Sequence, residues 1–139
     1  MPTKSGPQVT PLILVIDDAE DNREVYGQYF EFLGWRTAIA TDGQTGLDQA
    51  SALKPSAIVL DLALPVLDGW EVARRLKGNA ATRTIPVIAL TAHVLESARA
   101  KAVAAGVDDY FVKPCPPPDL AAAIRRHLGE TILLSLIHI

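Results

Sequence analysis

Residues 12–18, which read LILVIDD, decide how the rest of the chain is interpreted. Five apolar residues are followed at once by two acids, a pattern typical of a buried strand that delivers polar side chains to a loop. A helix ended by Gly34 is predicted directly after this strand. Its apolar residues recur at three- and four-residue steps and form one predicted face: Val25, Tyr29, Phe32 and Leu33.

The same alternation of strand and helix continues outward along the chain. The other predicted strands cover residues 35–40, 57–60, 85–90 and 108–112. Helices are predicted to begin after Asp42 and after Asp68, each acid acting as an N-cap, and the last two cover residues 94–105 and 120–128. Pro55, Gly106 and Gly129 mark helix ends.

Five strands that alternate with five helices predict an α/β fold. Most of the strands are apolar throughout instead of alternating with polar residues, which indicates a parallel sheet covered by helices on both faces. Right-handed crossovers leave few topologies for this number of strands. We therefore predict a doubly wound, five-stranded parallel sheet of the flavodoxin-like order 2-1-3-4-5.

The composition is that of a single globular domain. The chain has 139 residues, of which 49 % are hydrophobic and 21 % are charged. A net charge of −3 with scattered basic residues argues against direct binding to nucleic acid. The lone cysteine, Cys115, and the lack of an apolar run near the roughly 18 residues that span a bilayer predict a cytoplasmic protein that does not enter a membrane.

The two ends of the chain are set apart from the predicted domain, which covers residues 12–129. Residues 1–11 are rich in Pro, Gly, Ser and Thr, lack the apolar core of a secretory signal, and are predicted to be flexible. Residues 134–139 read LSLIHI and resemble a translated transposon-end or adapter read-through, so residues 130–139 are predicted to be a non-native tail. A native strand or a partner-docking peptide is the alternative for this tail.

Polar side chains stand where the predicted strands end: Asp17 and Asp18 after the first, Asp61 after the third, Thr91 after the fourth and Lys113 after the fifth. The order 2-1-3-4-5 makes the first and third strands neighbours, so three carboxylates converge and repel one another. Oxygen ligands of this kind suit Mg²⁺, which would neutralise them. With the Lys113 ammonium and the Thr91 hydroxyl, the metal would form a cradle for phosphoryl oxygens around Asp61, the nucleophile.

In these residues the chain resembles the receiver domains of two-component signalling, in the single-domain form known from chemotaxis. The resemblance covers residues 12 to 129. The matching segments are Ile16-Asp17-Asp18, Leu60-Asp61-Leu62-Ala63-Leu64-Pro65 with Asp68-Gly69, Thr91-Ala92 and Asp109-Tyr110-Phe111-Val112-Lys113-Pro114.

The resemblance implies a role for each residue of the acidic cluster. Asp61 would be the phosphoacceptor, and Asp18, Asp61 and the main-chain carbonyl of Ala63 would bind Mg²⁺, with Asp17 acting through a bound water. Lys113 would grip a phosphoryl oxygen. A cis peptide bond before the proline that follows Lys113 would direct the lysine inward.

The resemblance also implies a switch. Thr91 and Tyr110 would be the switch pair, in which the hydroxyl moves toward the phosphoryl group and the aromatic ring turns inward. Ala63 lies two positions after Asp61, and His93 lies two positions after Thr91. Both would flank the phosphoryl group and tune its hydrolysis.

We accordingly expect a phosphoacceptor domain and not an enzyme that acts on a foreign substrate. The donor would be a histidine kinase or a histidine phosphotransfer protein. Phosphorylation would change the surface formed by the fourth helix, fifth strand and fifth helix, which would bind a downstream protein or a second copy of the chain as a homodimer.

Three alternatives use the same architecture. A flavin binder needs a Ser, Thr or Gly-rich loop after the first strand, whereas residues 17–20 are acidic apart from Ala19. A phosphatase of the haloacid-dehalogenase type needs a second acid two residues after its nucleophile, where this chain has Ala63. The remaining alternative is a degenerate receiver that acts only as a protein-binding module, against which the intact set of site residues argues.

Overall fold

Strands and helices alternate along the whole of the folded chain, as the sequence predicted. The computed structural model describes residues 10–64, 67–92 and 96–129. The strands are β1 (Leu12–Ile16), β2 (Arg36–Ala40), β3 (Ala57–Asp61), β4 (Val87–Thr91) and β5 (Asp109–Val112). The helices are α1 (Glu20–Phe32), α2 (Gly43–Leu53), α3 (Gly69–Gly78), α4 (Glu96–Ala105) and α5 (Pro117–Leu128).

The five strands form one parallel sheet in the order β2-β1-β3-β4-β5. This confirms the predicted doubly wound α/β fold and its strand order. In the register of the sheet Ile16 lies beside Leu60 and Thr91 lies beside Val112. The residues at the carboxyl ends of β1, β3, β4 and β5 therefore reach the same edge of the sheet.

The sheet separates two hydrophobic cores, because neighbouring residues of a strand point to opposite faces. One core joins strand residues such as Leu14 and Leu60 to α2 and α3, and Ala105 of α4 lies in the same core. The other joins Val15 and Val59 to α1 and α5. Helices on both faces explain why β1, β3 and β4 are apolar apart from Asp61 and Thr91, the last residues of β3 and β4.

Helix α1 was predicted, but two residues of its predicted apolar face point to solvent. Val25 is 51 % exposed and Phe32 is 82 % exposed, while Tyr26 and Phe30 are buried. The reason is an aromatic contact outside the helix: the Phe30 ring lies 5.5 Å from the ring of Trp35, which is buried in the same core. Both sets of residues have helical spacing, so spacing alone could not choose between the two faces.

Other helix and strand boundaries also moved by a few residues. Helix α5 begins at Pro117 instead of the predicted residue 120, because proline is well suited to the first position of a helix, where its missing N–H would have no helical partner. Strands β2, β4 and β5 begin one, two and one residues later than predicted, and β4 extends to Thr91. The predicted start of the fourth helix at residue 94 lies outside the described residues.

The predicted helix signals are confirmed. The Asp42 and Asp68 carboxylates accept hydrogen bonds from the N–H groups of Thr45 and Glu71, at 2.8 Å and 2.9 Å. Gly129 follows α5 with a φ of 84°, in the left-handed region where glycine is favoured at helix ends. None of the helices within the described part of the chain is long and apolar enough to cross a membrane. Residues 1–9 and 130–139, which include the predicted tail, lie outside the description.

Candidate functional site

Three acids meet at the carboxyl edge of the sheet. Asp17 and Asp18 directly follow β1, and Asp61 is the last residue of the neighbouring β3. One oxygen from each carboxylate lies within 4.8 Å of the other two. Asp17 and Asp61 are buried, at 1 % and 3 % exposure, whereas Asp18 faces solvent. The predicted convergence of these acids is therefore present.

Asp17 is held by three residues of the loop and first turn of α1. Its Oδ1 accepts a hydrogen bond from the N–H of Ala19 at 2.8 Å, and its Oδ2 accepts one from the Asn22 amide at 3.2 Å. The Arg23 guanidinium donates to the main-chain oxygen of Asp17 at 3.1 Å. Asn22 and Arg23 were not among the predicted site residues. Their side chains reach Asp17 because both residues lie in the first turn of α1, beside the loop that follows β1. No motif in the sequence marks them.

Asp61 is held from two sides. The N–H of Ala63 donates to its Oδ1 at 3.0 Å, and the Lys113 ammonium donates to its Oδ2 at 2.9 Å. The N–H of Lys113 donates in turn to the main-chain oxygen of Thr91 at 2.7 Å, which fixes the start of the loop after β5. The Lys113–Pro114 peptide bond is cis, as the resemblance implied.

The predicted switch residues lie on β4 and β5. Thr91 is the last residue of β4 and is 2 % exposed. Tyr110 is half-buried on the edge strand β5, where its register partner is Ala89. Of the two residues predicted to tune hydrolysis, Ala63 is exposed beside Asp61, and His93 lies outside the described residues.

Gly69, the first residue of α3, lies directly against the backbone of the β3–α3 loop. A Cβ atom at this position would lie 2.7 Å from the main-chain oxygen of Asp61. Such a contact is much shorter than the distance at which a carbon and an oxygen pack, and the oxygen belongs to backbone that cannot turn away. Glycine is therefore required for α3 to begin beside the acid that ends β3.

Among the described residues, the negative charge of the site exceeds the positive charge beside it. Burial raises the pKa of the Asp17 carboxyl, the negative charge of Asp61 raises it further, and the hydrogen bond from Ala19 and the Lys113 ammonium lower it. Three carboxylates lie beside two cationic groups, the Lys113 ammonium on Asp61 and the Arg23 guanidinium on the main-chain oxygen of Asp17. The donor set consists of carboxylate oxygens, so these residues fit a hard divalent cation such as Mg²⁺.

The fold and this acidic edge define a doubly wound α/β domain whose site combines clustered carboxylates with an inward-facing lysine. The model of the response regulator receiver domain family matches residues 13–125. The chain belongs to this family, whose members are signalling domains of two-component systems.

The curated relatives that the chain matches are also response regulators. The response regulator MprA of Mycobacterium tuberculosis is 39 % identical over 119 residues, which cover 86 % of this chain and 51 % of MprA. The MprA protein of Mycobacterium avium is 38 % identical with the same coverage. The chain thus spans about half the length of the curated relatives it matches.

Solved structures show the same fold. The receiver domain of a signal transduction histidine kinase from Syntrophus aciditrophicus has a TM-score of 0.81 and 30 % identity, with 87 % of this chain and 92 % of that chain covered. The receiver domain of sensor histidine kinase PA1611 from Pseudomonas aeruginosa has a TM-score of 0.80 and 32 % identity, with 87 % and 99 % covered. That structure is described as holding a magnesium ion in its active site cleft.

Proposed function

We propose that this chain is a phosphoacceptor receiver domain that takes a phosphoryl group on Asp61 in the presence of Mg²⁺. The observation that carries the proposal is the ion pair between the buried Asp61 carboxylate and the Lys113 ammonium, 2.9 Å apart, beside the carboxylates of Asp17 and Asp18. A nucleophilic acid, a fixed positive charge and an oxygen-rich cation site then stand together. Phosphoryl transfer needs these three parts.

In this proposal Asp18, Asp61 and the main-chain carbonyl of Ala63 hold the magnesium ion, with Asp17 acting through a bound water. When bound, Mg²⁺ would neutralise charge on the acids and on the phosphoryl oxygens. The hydrogen bonds on Asp17 and Asp61 support this arrangement, because they use some of the oxygen lone pairs and leave others for a cation.

The chain's own groups perform the transfer. An oxygen of Asp61 forms the new bond to phosphorus while the bond between phosphorus and the donor breaks, and the electron pair of that bond remains with the donor. Lys113 stabilises the negative charge on the phosphoryl oxygens, and the Thr91 hydroxyl donates to one of them. An ionised carboxylate needs no general base, so the site can act without a histidine.

The donor we propose is a histidine kinase or a histidine phosphotransfer protein, as expected for a receiver domain. Thr91 and Tyr110 are proposed as the switch pair that passes the change to the surface formed by α4, β5 and α5, while Ala63 and His93 are proposed to tune hydrolysis. Downstream protein binding and homodimer formation through that surface are further proposals. A cytoplasmic location stays a prediction.

The proposal is tested by incubating the chain with Mg²⁺ and a small-molecule phosphodonor and measuring its mass. We expect one phosphoryl adduct on the wild type, none on Asp61→Asn, and none on the wild type when the metal is chelated. Asp68→Asn is the matched control, because Asp68 is an exposed acid of the same loop that caps α3, and asparagine also caps helices. This control should form the adduct like the wild type.

Two results would contradict the proposal. An adduct that persists in Asp61→Asn would place the acceptor on another residue. A folded wild type that forms no adduct with a competent donor would favour a degenerate receiver that acts only through protein binding.

A further inference from the structure

We propose that Asn22 is a positioning residue that sets the magnesium affinity of the site by holding the carboxylate of Asp17. The inference rests on the proposed function, because it takes the acidic cluster as the metal site. Asn22 lies in the first turn of α1 and is half-buried. Its Nδ2 donates a hydrogen bond to Oδ2 of Asp17 at 3.2 Å.

The Asn22 amide completes the restraint of a buried acid. The other oxygen of Asp17, Oδ1, accepts from the N–H of Ala19 at 2.8 Å, so each carboxylate oxygen has one protein donor. Two donors on different oxygens fix the rotation of the carboxylate plane, whereas the single bond from Ala19 would let the plane turn about it. Each oxygen keeps one further lone pair, and one of the two oxygens lies within 4.8 Å of a carboxylate oxygen of Asp18 and of one of Asp61.

The main chain of Asp17 is restrained by the residue that follows Asn22. The Arg23 guanidinium donates to the Asp17 carbonyl oxygen at 3.1 Å, and the N–H of Asp17 donates to the carbonyl oxygen of Ala40 at 3.0 Å. The backbone of the acid thus has partners on both α1 and β2. With the backbone of Asp17 fixed in this way, the Asn22 amide and the N–H of Ala19 hold its carboxylate.

A neutral donor suits this position better than a charged one. A lysine or arginine side chain on Oδ2 would pair with Asp17 and repel an incoming cation. The asparagine amide holds the oxygen with a dipole and leaves the negative charge of the cluster available to the metal. Residues that orient direct metal ligands commonly change metal affinity by 10- to 100-fold when they are replaced, and we expect the lower figure here because Asp17 acts through a bound water.

We therefore expect Asn22→Leu, which keeps the approximate volume but removes the amide, to weaken Mg²⁺ binding by about tenfold. Asn22→Ala should weaken Mg²⁺ binding similarly. This second variant shows whether the effect of Asn22→Leu comes from the loss of the amide or from the packing of leucine. The matched control is Gln44→Leu on α2, which removes an exposed amide that is hydrogen-bonded at 3.0 Å to the carboxylate of Asp48, an acid outside the proposed metal site. This control should bind Mg²⁺ within twofold of the wild type.

The experiment uses the full chain and two measurements. Titration calorimetry with MgCl₂ gives the dissociation constant without any phosphodonor. The phosphorylation rate is then measured over a range of Mg²⁺ concentrations. For both Asn22 variants we expect the half-saturating Mg²⁺ concentration to rise about tenfold, while the rate at saturating Mg²⁺ stays within twofold of the wild type, because abundant metal restores the arrangement that the amide favoured.

The outcomes separate this inference from the function on which it rests. Asn22 variants that bind Mg²⁺ within twofold of the wild type would overturn the positioning role and leave the proposed function intact. A loss of phosphorylation that saturating Mg²⁺ does not restore would also overturn it, because the effect would then not be one of affinity. A wild type that neither binds Mg²⁺ nor takes a phosphoryl group would overturn both.

Discussion

In the described part of the chain, positive and negative side chains are paired one to one at the amino end of the parallel sheet, whereas acids outnumber bases at its carboxyl end. At the amino end, before β4 and β5, the Lys77 ammonium pairs with the Asp108 carboxylate at 2.6 Å. Lys77 also donates to the main-chain oxygen of Ile85 at 2.8 Å, and Asp108 accepts from the N–H of Val87 at 2.7 Å. At the carboxyl end, three carboxylates lie together, and among the described residues the Lys113 ammonium pairs with one of them, that of Asp61.

One end of the sheet carries an ion pair that stabilises the fold, and the other end carries the acids of the candidate functional site. The Lys77–Asp108 pair is one cation and one anion, each also bonded to backbone, so it joins α3 to the strands without help from outside. At the other end, burial raises the pKa of the Asp17 carboxyl, and the negative charge of the neighbouring Asp61 raises it further. Such an excess of negative charge is tolerated where binding of a cation will relieve it.

The largest effect on stability is expected where α3 begins beside the acids. Gly69→Ala would place a Cβ atom 2.7 Å from the main-chain oxygen of Asp61, and the backbone on either side would have to move. We expect a loss of about 3 kcal/mol in the free energy of unfolding, measured by urea denaturation. Phosphorylation should fall with it, because Asp61 itself would be displaced.

The other end of the same helix provides the control. Gly78, the last residue of α3, has open space where a Cβ would be, so Gly78→Ala should leave stability unchanged or raise it by up to about 1 kcal/mol. If both variants behaved alike, the close contact between Gly69 and Asp61 would not be the cause.

An intermediate effect is expected from the two lysines, one at each end of the sheet. In EDTA, Lys77→Met should lose about 1 kcal/mol, because the Asp108 pair is partly screened by water, and Lys113→Met about 2 kcal/mol, because Asp61 is buried. Mg²⁺ should stabilise Lys77→Met as much as it stabilises the wild type, because the acids of the metal site are intact, and should stabilise Lys113→Met by more. Thermal unfolding with and without Mg²⁺ measures both.

Lys113→Met should also bind Mg²⁺ several-fold more tightly than the wild type, because a positive charge next to Asp61 is removed. Its phosphorylation should nevertheless be slower, since the same charge stabilises the phosphoryl oxygens. Equal responses of the two lysine variants to Mg²⁺ would remove the contrast between the two ends.

The smallest effect concerns an uncharged contact at the carboxyl end. The Tyr26 hydroxyl donates to the main-chain oxygen of Cys115 at 2.9 Å and joins α1 to the loop before α5. Tyr26→Phe should lower the free energy of unfolding by about 1 kcal/mol at neutral pH. The measurement is urea denaturation of both proteins at several pH values.

The pH dependence of this variant follows from the phenol. Burial raises the pKa of Tyr26 from 10.0 to about 12. The folded protein therefore holds this proton more tightly than the unfolded chain, so the contribution of Tyr26 is complete below pH 10 and is lost between pH 10 and about pH 12. The advantage of the wild type over Tyr26→Phe should disappear in that range. An advantage that persisted unchanged at pH 12 would contradict a buried, protonated phenol.

Much of the fold was predictable, because apolar runs and helix caps are local signals. The strand order followed from the number of strands and the handedness of crossovers, and it placed Asp17, Asp18 and Asp61 together. It also brought Lys113 to Asp61 across 52 positions of sequence. Cap residues such as Asp42 were predictable for the same reason, since the bond to Thr45 spans only three residues.

The sequence by itself therefore determined the alternation of strands and helices, the parallel sheet and the residues that stand at its carboxyl edge. Only the tertiary structure decided which face of α1 is buried, that Asn22 and Arg23 hold Asp17, and that Lys77 closes the opposite edge with Asp108. The physical reason is range. Strand, helix and cap patterns depend on residues that are close in sequence. These contacts depend instead on the angle at which a helix packs and on how far one side chain reaches.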